Sequence, residues 1–344
     1  MTDRRRMPAE WSPHQATWIT WPHNPDTWPG VLEPARDAMT EAVAALAPHE
    51  QVHINIQDEA MAQAVERRLK GRVPPERVRL ERIVTDDSWI RDYGAIVVRD
   101  PEAEGGFAAC DFNYNAWGGK YPPFDRDEVV AAQMAERLGL PLLHSDLILE
   151  GGSVEPNGEG LGLVTEQCLL NPNRNPGTSR AEIEAVLREF LGLEELLWLG
   201  DGVVGDDTDG HIDNLARFFA TDSVVTIVER DRSDPNHAPL ADNLARLREF
   251  RDARGRGLEV VELPVPEPVI FKGTRLPASY ANFYIANDVV IMPSYKGRHD
   301  DRAQGIIADC FPGRRVVAID CRALVVGLGA FHCLTQQIPV IVAR

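Results

Sequence analysis

No run of apolar residues in this chain approaches the ~18 that a membrane-crossing helix needs. The basic opening MTDRRRMPAEW also lacks the apolar stretch of a secretory leader. These absences lead to the expectation of a soluble, cytosolic protein without a membrane partner. Cysteine is sparse as well: Cys110, Cys168, Cys310, Cys321 and Cys333 are an odd number with no CxxC pair. That argues against a disulfide framework or a zinc cluster and leaves at least one thiol free. Positive charge is short: 36 Lys and Arg against 53 Asp and Glu give a formal net charge of −17. Such a surface repels nucleic acid and anionic lipid and concentrates small cations, although acidity also serves solubility. No linker-like break in composition is visible, so residues 1–344 read as one domain, and 44% hydrophobic residues suffice for a substantial core.

What is present is mixed α and β throughout. Apolar residues at three- and four-residue spacing predict helices in PARDAMTEAVAALA (with Pro34 at an N1-like position), DEAMAQAVERRLKG, DEVVAAQMAERLG, TSRAEIEAVLREFLG and LADNLARLREFRDARG. Short β-branched runs, VHINI, AIVV, LGLVT, VVTIV, VVIMP, VVAI and PVIVA, predict buried strands. ELPVPEPVIFKGTRLP reads as a long surface loop. Five times, at intervals of roughly 50–70 residues, a polar, glycine-flanked segment leads into such a strand, as repeated supersecondary units do. Ordinary βα alternation in an open sheet is the alternative.

Those polar segments hold the candidate chemistry. In GDDTDGHIDN, His211 and Asp213 stand two apart, which on a strand sends both to one face. A metal-binding pair, a surface turn, and a histidine base with a carboxylate partner all fit. The metal reading lacks HExxH or CxxC companions, and an EF-hand fails because Gly205 takes its first ligand position. In TDDSWIRDYG, Asp92 either serves a site or pairs with Arg91 and caps a turn. Glu150, in LILEGGSV, follows an apolar strand, where ligands bind in many α/β folds. A lone cysteine in an apolar strand is usually core. Cys333 differs, because His332 adjoins it, Gly327 and Gly329 allow close approach, and TQQ follows where a core strand would stay apolar. The other four cysteines lack that combination and read as structural. One thiol, one histidine and several acids suit attack on a guanidinium, whose planar fork each carboxylate can grip with two N–H bonds.

Taken together, MPAEWSPHQATWITWPHNPDTWPG, DDSWIRDYG, DFNYNAWGGKYPPFDRD, LEGGSVEPNGEG, TEQCLLNPNRNP, GDDTDGHIDN, YANFYIAND and HCLTQQIP resemble the agmatine deiminase and bacterial-type peptidyl-arginine deiminase family, of the pentein superfamily of guanidine-modifying enzymes. The resemblance implies a five-bladed α/β propeller of pseudo-fivefold ββαβ-like units with the active site on the central axis. It implies Cys333 as nucleophile, His211 as general acid/base, Asp92 and Asp213 as guanidinium-binding carboxylates, Glu150 as support for the histidine and substrate, and Trp89 as an aromatic wall. No metal or organic cofactor is implied, and the family often forms dimers or larger homo-oligomers.

The substrate implied is a small cationic guanidine, foremost agmatine, giving N-carbamoylputrescine on the way to putrescine and other polyamines. Asp207 is the candidate partner for its free amine, with a solvated turn as the plain alternative. A peptidyl arginine would instead want a cation at the mouth, for which Lys120 is the candidate. An amidinotransferase or a non-catalytic guanidine binder remain as other classes. The chain departs from the family's G-G-G-x-I-H-C loop at Leu328, Ala330 and Phe331, and has Ala95 where proline usually follows R-D-x-G. These changes touch the pocket wall and not the reacting groups.

Overall fold

The computed structural model describes residues 4–341. A ββαβ order recurs four times along the chain, from the second unit to the fifth. In the second unit, Ile96–Arg99 and Phe107–Asn113 pair antiparallel, and helix Val130–Leu138 returns the chain to Leu142–Ile148, parallel to the middle strand. The third unit repeats this with Glu155–Pro156, Leu161–Thr165, helix Arg180–Leu191 and Glu195–Leu199. The fourth uses Ala216–Ala220, Ser223–Val228, helix His237–Glu249 and Glu259–Pro264. The fifth uses Tyr284–Ile285, Val289–Ser294, helix Asp300–Cys310 and Arg315–Asp320. A parallel return needs a crossover, and in these units the helix supplies it. The first sheet is assembled from both ends of the chain: Thr335–Pro339 pairs antiparallel with His14–Thr20, which is followed by parallel Gln51–Ile56 and Val78–Arg82.

The middle strands carry the apolar runs seen in the sequence because helices and neighbouring loops cover them: every residue from Val289 to Ser294 is buried, as are Ser223 to Ile227. Several boundaries differ from expectation. The first long helix starts at Leu32, two residues before Pro34. The helix expected to reach Gly255 stops at Glu249, where Phe250 turns extended (ψ 137°) and Asp252 accepts the N–H groups of Arg254 and Arg256 in a side-chain-capped turn. Helix Asp300–Cys310 was not foreseen. The loop around residue 270 contains a short hairpin, Ile270–Phe271 against Thr274–Arg275, turning on Lys272 and Gly273, both at positive φ.

The last strand also shifts. It is Thr335–Pro339, not PVIVA, whose last two residues, 342 and 343, lie outside the described residues. Its polar side chains are buried and paired: Gln336 Nε2 donates to the Ala95 carbonyl (3.0 Å), and Gln337 Oε1 accepts from Arg91 Nη1 (2.7 Å). Most of these buried polar groups are satisfied, while Gln336 Oε1, also buried, has no partner within the chain.

Candidate active site

The polar segments before the strands meet in one place. Asp92 sits on the single helical turn Ile90–Tyr93, and Glu150 opens the turn Gly151–Ser153. His211 and Asp213 begin a third such turn, Ile212–Asn214. They are therefore not on a strand, and two-residue alternation does not bring them together. The tight turn does, by aiming both at the space beside Gly152. A Cβ on Gly152 would lie 2.6 Å from His211 Nδ1, 2.8 Å from Asp92 Oδ1 and 3.2 Å from Asp213 Oδ2. The second glycine of EGG is thus the room in which three side chains converge. The first has another cause, since a Cβ on Gly151 would strike the Arg91 carbonyl oxygen at 2.2 Å.

Cys333 joins this group from the other end of the chain. Its Sγ lies 3.5 Å from Asp213 Oδ2 and accepts from Asn282 Nδ2 at 3.2 Å. It lines a cavity of about 550 Å³, shared with Trp89, Asp92, Trp117, Tyr121 and Asp207. The glycine-spaced loop before it is shaped by tryptophans: a Cβ on Gly329 would meet the Trp89 ring at 2.4 Å, and one on Gly327 the Trp28 indole nitrogen at 2.8 Å. Leu328, between them, is held at φ 72°, a left-handed conformation that side chains resist.

Asp92 does not pair with Arg91. Asp92 Oδ1 accepts from the Gly152 N–H (2.9 Å) and lies 3.8 Å from His211 Nδ1, while Oδ2 accepts from Trp117 Nε1 (3.0 Å). Arg91 points to Gln337, the His332 carbonyl and Glu10. Burial pushes the Asp92 carboxyl up to about 6; His211 and the Trp117 bond resist this, while Asp213 and Glu150 add to it. Burial disfavours charge on His211, yet Asp92, Cys168 and Glu150 outweigh it and hold the imidazole protonated well above its ordinary range. Burial also opposes charge on Asp213, but the His332 contact, then His211 and Arg217, keep its carboxyl below the usual value. The Cys333 thiol is pushed well up by burial and by Asp213 and Asp92. The acids that would attract a cation are therefore also those that, with burial, disfavour the thiolate.

Glu150 is fixed on one side by the buried Arg174, whose Nε donates to Oε1 at 2.6 Å. Its Oε2, both ring nitrogens of His211 and Asp213 Oδ1 have no hydrogen-bond partner within the chain, although all are buried. Buried polar groups without partners are rare and mark places where chemistry happens. Cys168, expected to be structural, stands at the site: its sulfur lies within 4.8 Å of ligand-type atoms of both Glu150 and His211. The Arg174 guanidinium against Glu150 opposes a metal cation there.

Asp207 lines the cavity near its mouth and accepts from the Tyr121 hydroxyl. Lys120, the candidate for a substrate carboxylate, is already engaged by Asp209 Oδ2 (2.8 Å) and the Asp207 carbonyl. Sequence reasoning missed Glu10, Trp117, Arg174, Asn282 and the part played by His332. Of these only Trp117, in NAWGGK, had a visible signal: an aromatic beside two glycines. Ala116, Trp117 and Gly118 all take positive φ, and a Cβ on Gly118 would run into the Asn173 side chain.

Comparison with known proteins adds the following. The Porphyromonas-type peptidyl-arginine deiminase family matches residues 6–339. The agmatine deiminase of Ectopseudomonas mendocina is 37% identical over 360 residues, spanning 98% of this chain and 96% of that one. Among solved structures, the agmatine deiminase of Enterococcus faecalis superposes with a TM-score of 0.91 at 33% identity, covering 99% of this chain and 97% of that one. A cysteine-to-serine agmatine deiminase of C. jejuni, solved with substrate bound, gives 0.88 at 30% identity, covering 97% and 96%.

Proposed function

Because this chain belongs to the Porphyromonas-type peptidyl-arginine deiminase family, we propose that it hydrolyses agmatine to N-carbamoylputrescine and ammonia, with Cys333 as nucleophile. The observation that carries the substrate is the charge of the cavity. Asp26, Asp86, Asp87, Asp92 and Asp207 line it, with Asp127, whose carboxyl burial pushes up to about 8, against Lys120, which is already paired. A guanidine with a free amine at its far end is a dication that this wall attracts; an arginine carboxylate it repels.

In the proposed reaction Asp92 and Asp213 grip the guanidinium N–H groups and hold its carbon against sulfur. Arrival of the cation offsets the acidic surroundings of Cys333, so the thiol ionises with substrate in place and its proton passes to solvent. The thiolate forms a C–S bond to the guanidinium carbon. As one C–N bond breaks, protonated His211 gives its proton to the departing ammonia. Neutral His211 then takes a proton from water, the hydroxide adds to the same carbon, the C–S bond breaks, and the ureido product leaves with the thiolate restored. Glu150, anchored by Arg174, favours the charged form of His211, Trp89 flanks the alkyl chain, and Asp207 receives the amine. The four ββαβ units and the first sheet are proposed to form one catalytic domain of five blades, with the three turns and the cysteine loop at its axis. No metal or organic cofactor enters any step.

The test is a comparison of agmatine with arginine-terminated peptides for ammonia and ureido product. Agmatine turnover with at least about 100-fold higher kcat/KM is expected, the scale on which repelling a misplaced charge acts. Equal turnover of both would sink the substrate assignment.

A further inference from the structure

Behind Cys333 and Asp213 lies a chain of buried charges, His332, Glu10, Arg217 and Glu155, that the reaction above does not use. Asp213 Oδ2 lies 2.7 Å from His332 Nδ1, and His332 Nε2 lies 2.8 Å from Glu10 Oε2. That same Glu10 oxygen lies 2.9 Å from Arg217 Nη2 and 3.5 Å from Arg91 Nη2, while Glu10 Oε1 accepts from the Ile285 N–H. Arg217 is held in turn by Glu155 (Nε to Oε2, 2.8 Å) and by the Phe283 carbonyl (2.6 Å). Every side chain in this series is at most 5% exposed. Ionised carboxylates only accept hydrogen bonds, so a histidine wedged between two of them satisfies both only by donating from both nitrogens.

We propose that His332 is a positioning residue for the guanidinium site: it holds Asp213 by Oδ2 beside the Cys333 sulfur and leaves the partnerless Oδ1 free for the guanidinium, while Glu10 fixes the ring that does this. Two observations meet in this inference. Oδ2 is taken by His332 and the Cys333 thiol, while Oδ1 is buried without a partner. The His332 contact is also the leading opposing influence that keeps the Asp213 carboxyl ionised against burial. The groups facing His332 are Asp213, Glu10, Cys333 and, through its carbonyl and Glu10, Arg91 and Arg217. The inference rests on the reading that Asp213 binds the guanidinium.

Two amide variants separate the ends of the ring. In His332→Asn the amide nitrogen stands close to the place of Nδ1 and keeps a donor for Asp213 while losing Glu10. In His332→Gln it stands closer to Nε2 and keeps Glu10 while losing Asp213. If His332 acts through Asp213, His332→Asn loses about 10-fold or less in agmatine kcat/KM and His332→Gln about 100-fold or more, largely in KM, as loss of ground-state binding demands. The acid limb of the pH profile moves to higher pH in His332→Gln only. The reverse order, or equal losses that track thermal melting, would overturn the role. Should neither variant fold, Glu10→Gln keeps an oxygen for Nε2 and removes the charge. An acid limb moved to higher pH then supports the role and an unmoved limb contradicts it. A wild type that neither binds nor turns over agmatine removes the premise and the inference with it, whereas normal wild-type turnover with the wrong variant order removes the inference alone.

Discussion

Replacing Gly152 with alanine adds one methyl group at the point where His211, Asp92 and Asp213 meet. Gly152 is not among the glycines at positive φ, so alanine fits the backbone and the effect is steric. To regain ordinary van der Waals contact, His211 Nδ1, 2.6 Å from the new carbon, must retreat by roughly 0.8 Å, and Asp92 Oδ1, at 2.8 Å, by roughly 0.6 Å. Asp213 Oδ2, at 3.2 Å, gives way least. A misplacement of about 1 Å in a reacting group costs on the order of 100-fold, or about 2.7 kcal/mol of transition-state stabilisation. Overpacking of this kind also costs about 1–3 kcal/mol of stability, so the fold should survive. Steady-state kinetics on agmatine and thermal melting are measured together, with Gly305→Ala as control. Gly305 lies within helix Asp300–Cys310 with nothing near its Cβ position, so that change should stabilise by about 0.5–1 kcal/mol and leave kcat/KM alone. A folded Gly152→Ala enzyme within threefold of wild type would refute the convergence of these groups on the substrate.

Other outcomes follow from the same geometry. Asp207→Asn should raise KM for agmatine about 10-fold or more with kcat little changed, because an amine contact contributes uniform binding; an unchanged KM would return Asp207 to the role of a solvated turn. Asp92 titrates at about 6, and only its ionised form grips the guanidinium, so kcat/KM should rise through that pH. Being raised in the fold, this carboxyl contributes stability below about pH 4 that is lost as pH rises through about 6, so melting temperature and activity change in opposite directions there. Trp117→Phe removes the Nε1 bond that holds the Asp92 carboxyl down, and should move the acid limb upward. A limb that stays or moves down contradicts this assignment.

The sequence makes the reacting groups visible because each sits in a short polar block with glycines, and those blocks precede the buried strands that give the fold its fivefold count. Their meeting place is less legible. His211 and Asp213 looked like strand neighbours, and only the turn Ile212–Asn214 explains how they share a space. Glu10 and Arg217 carry no local sign of their function, since their partners lie 322 positions away at His332 and 62 away at Glu155. Cys168 reads as core because a buried cysteine packs as a small hydrophobe, and only the fold brings it beside Glu150 and His211. The polar TQQ after Cys333 reads against a core strand, whereas Gln336 and Gln337 are buried and bonded across to Ala95 and Arg91. Lys120 looked free to meet a carboxylate, and Asp209 had already claimed it.

The central assignment is the covalent role of Cys333, and acid quenching of the enzyme during agmatine turnover, followed by peptide mass spectrometry, tests it most directly. The peptide containing Cys333 should gain the mass of agmatine less ammonia, and Cys333→Ser should show neither that adduct nor ammonia release. Ammonia release at the wild-type rate from Cys333→Ser would contradict the mechanism.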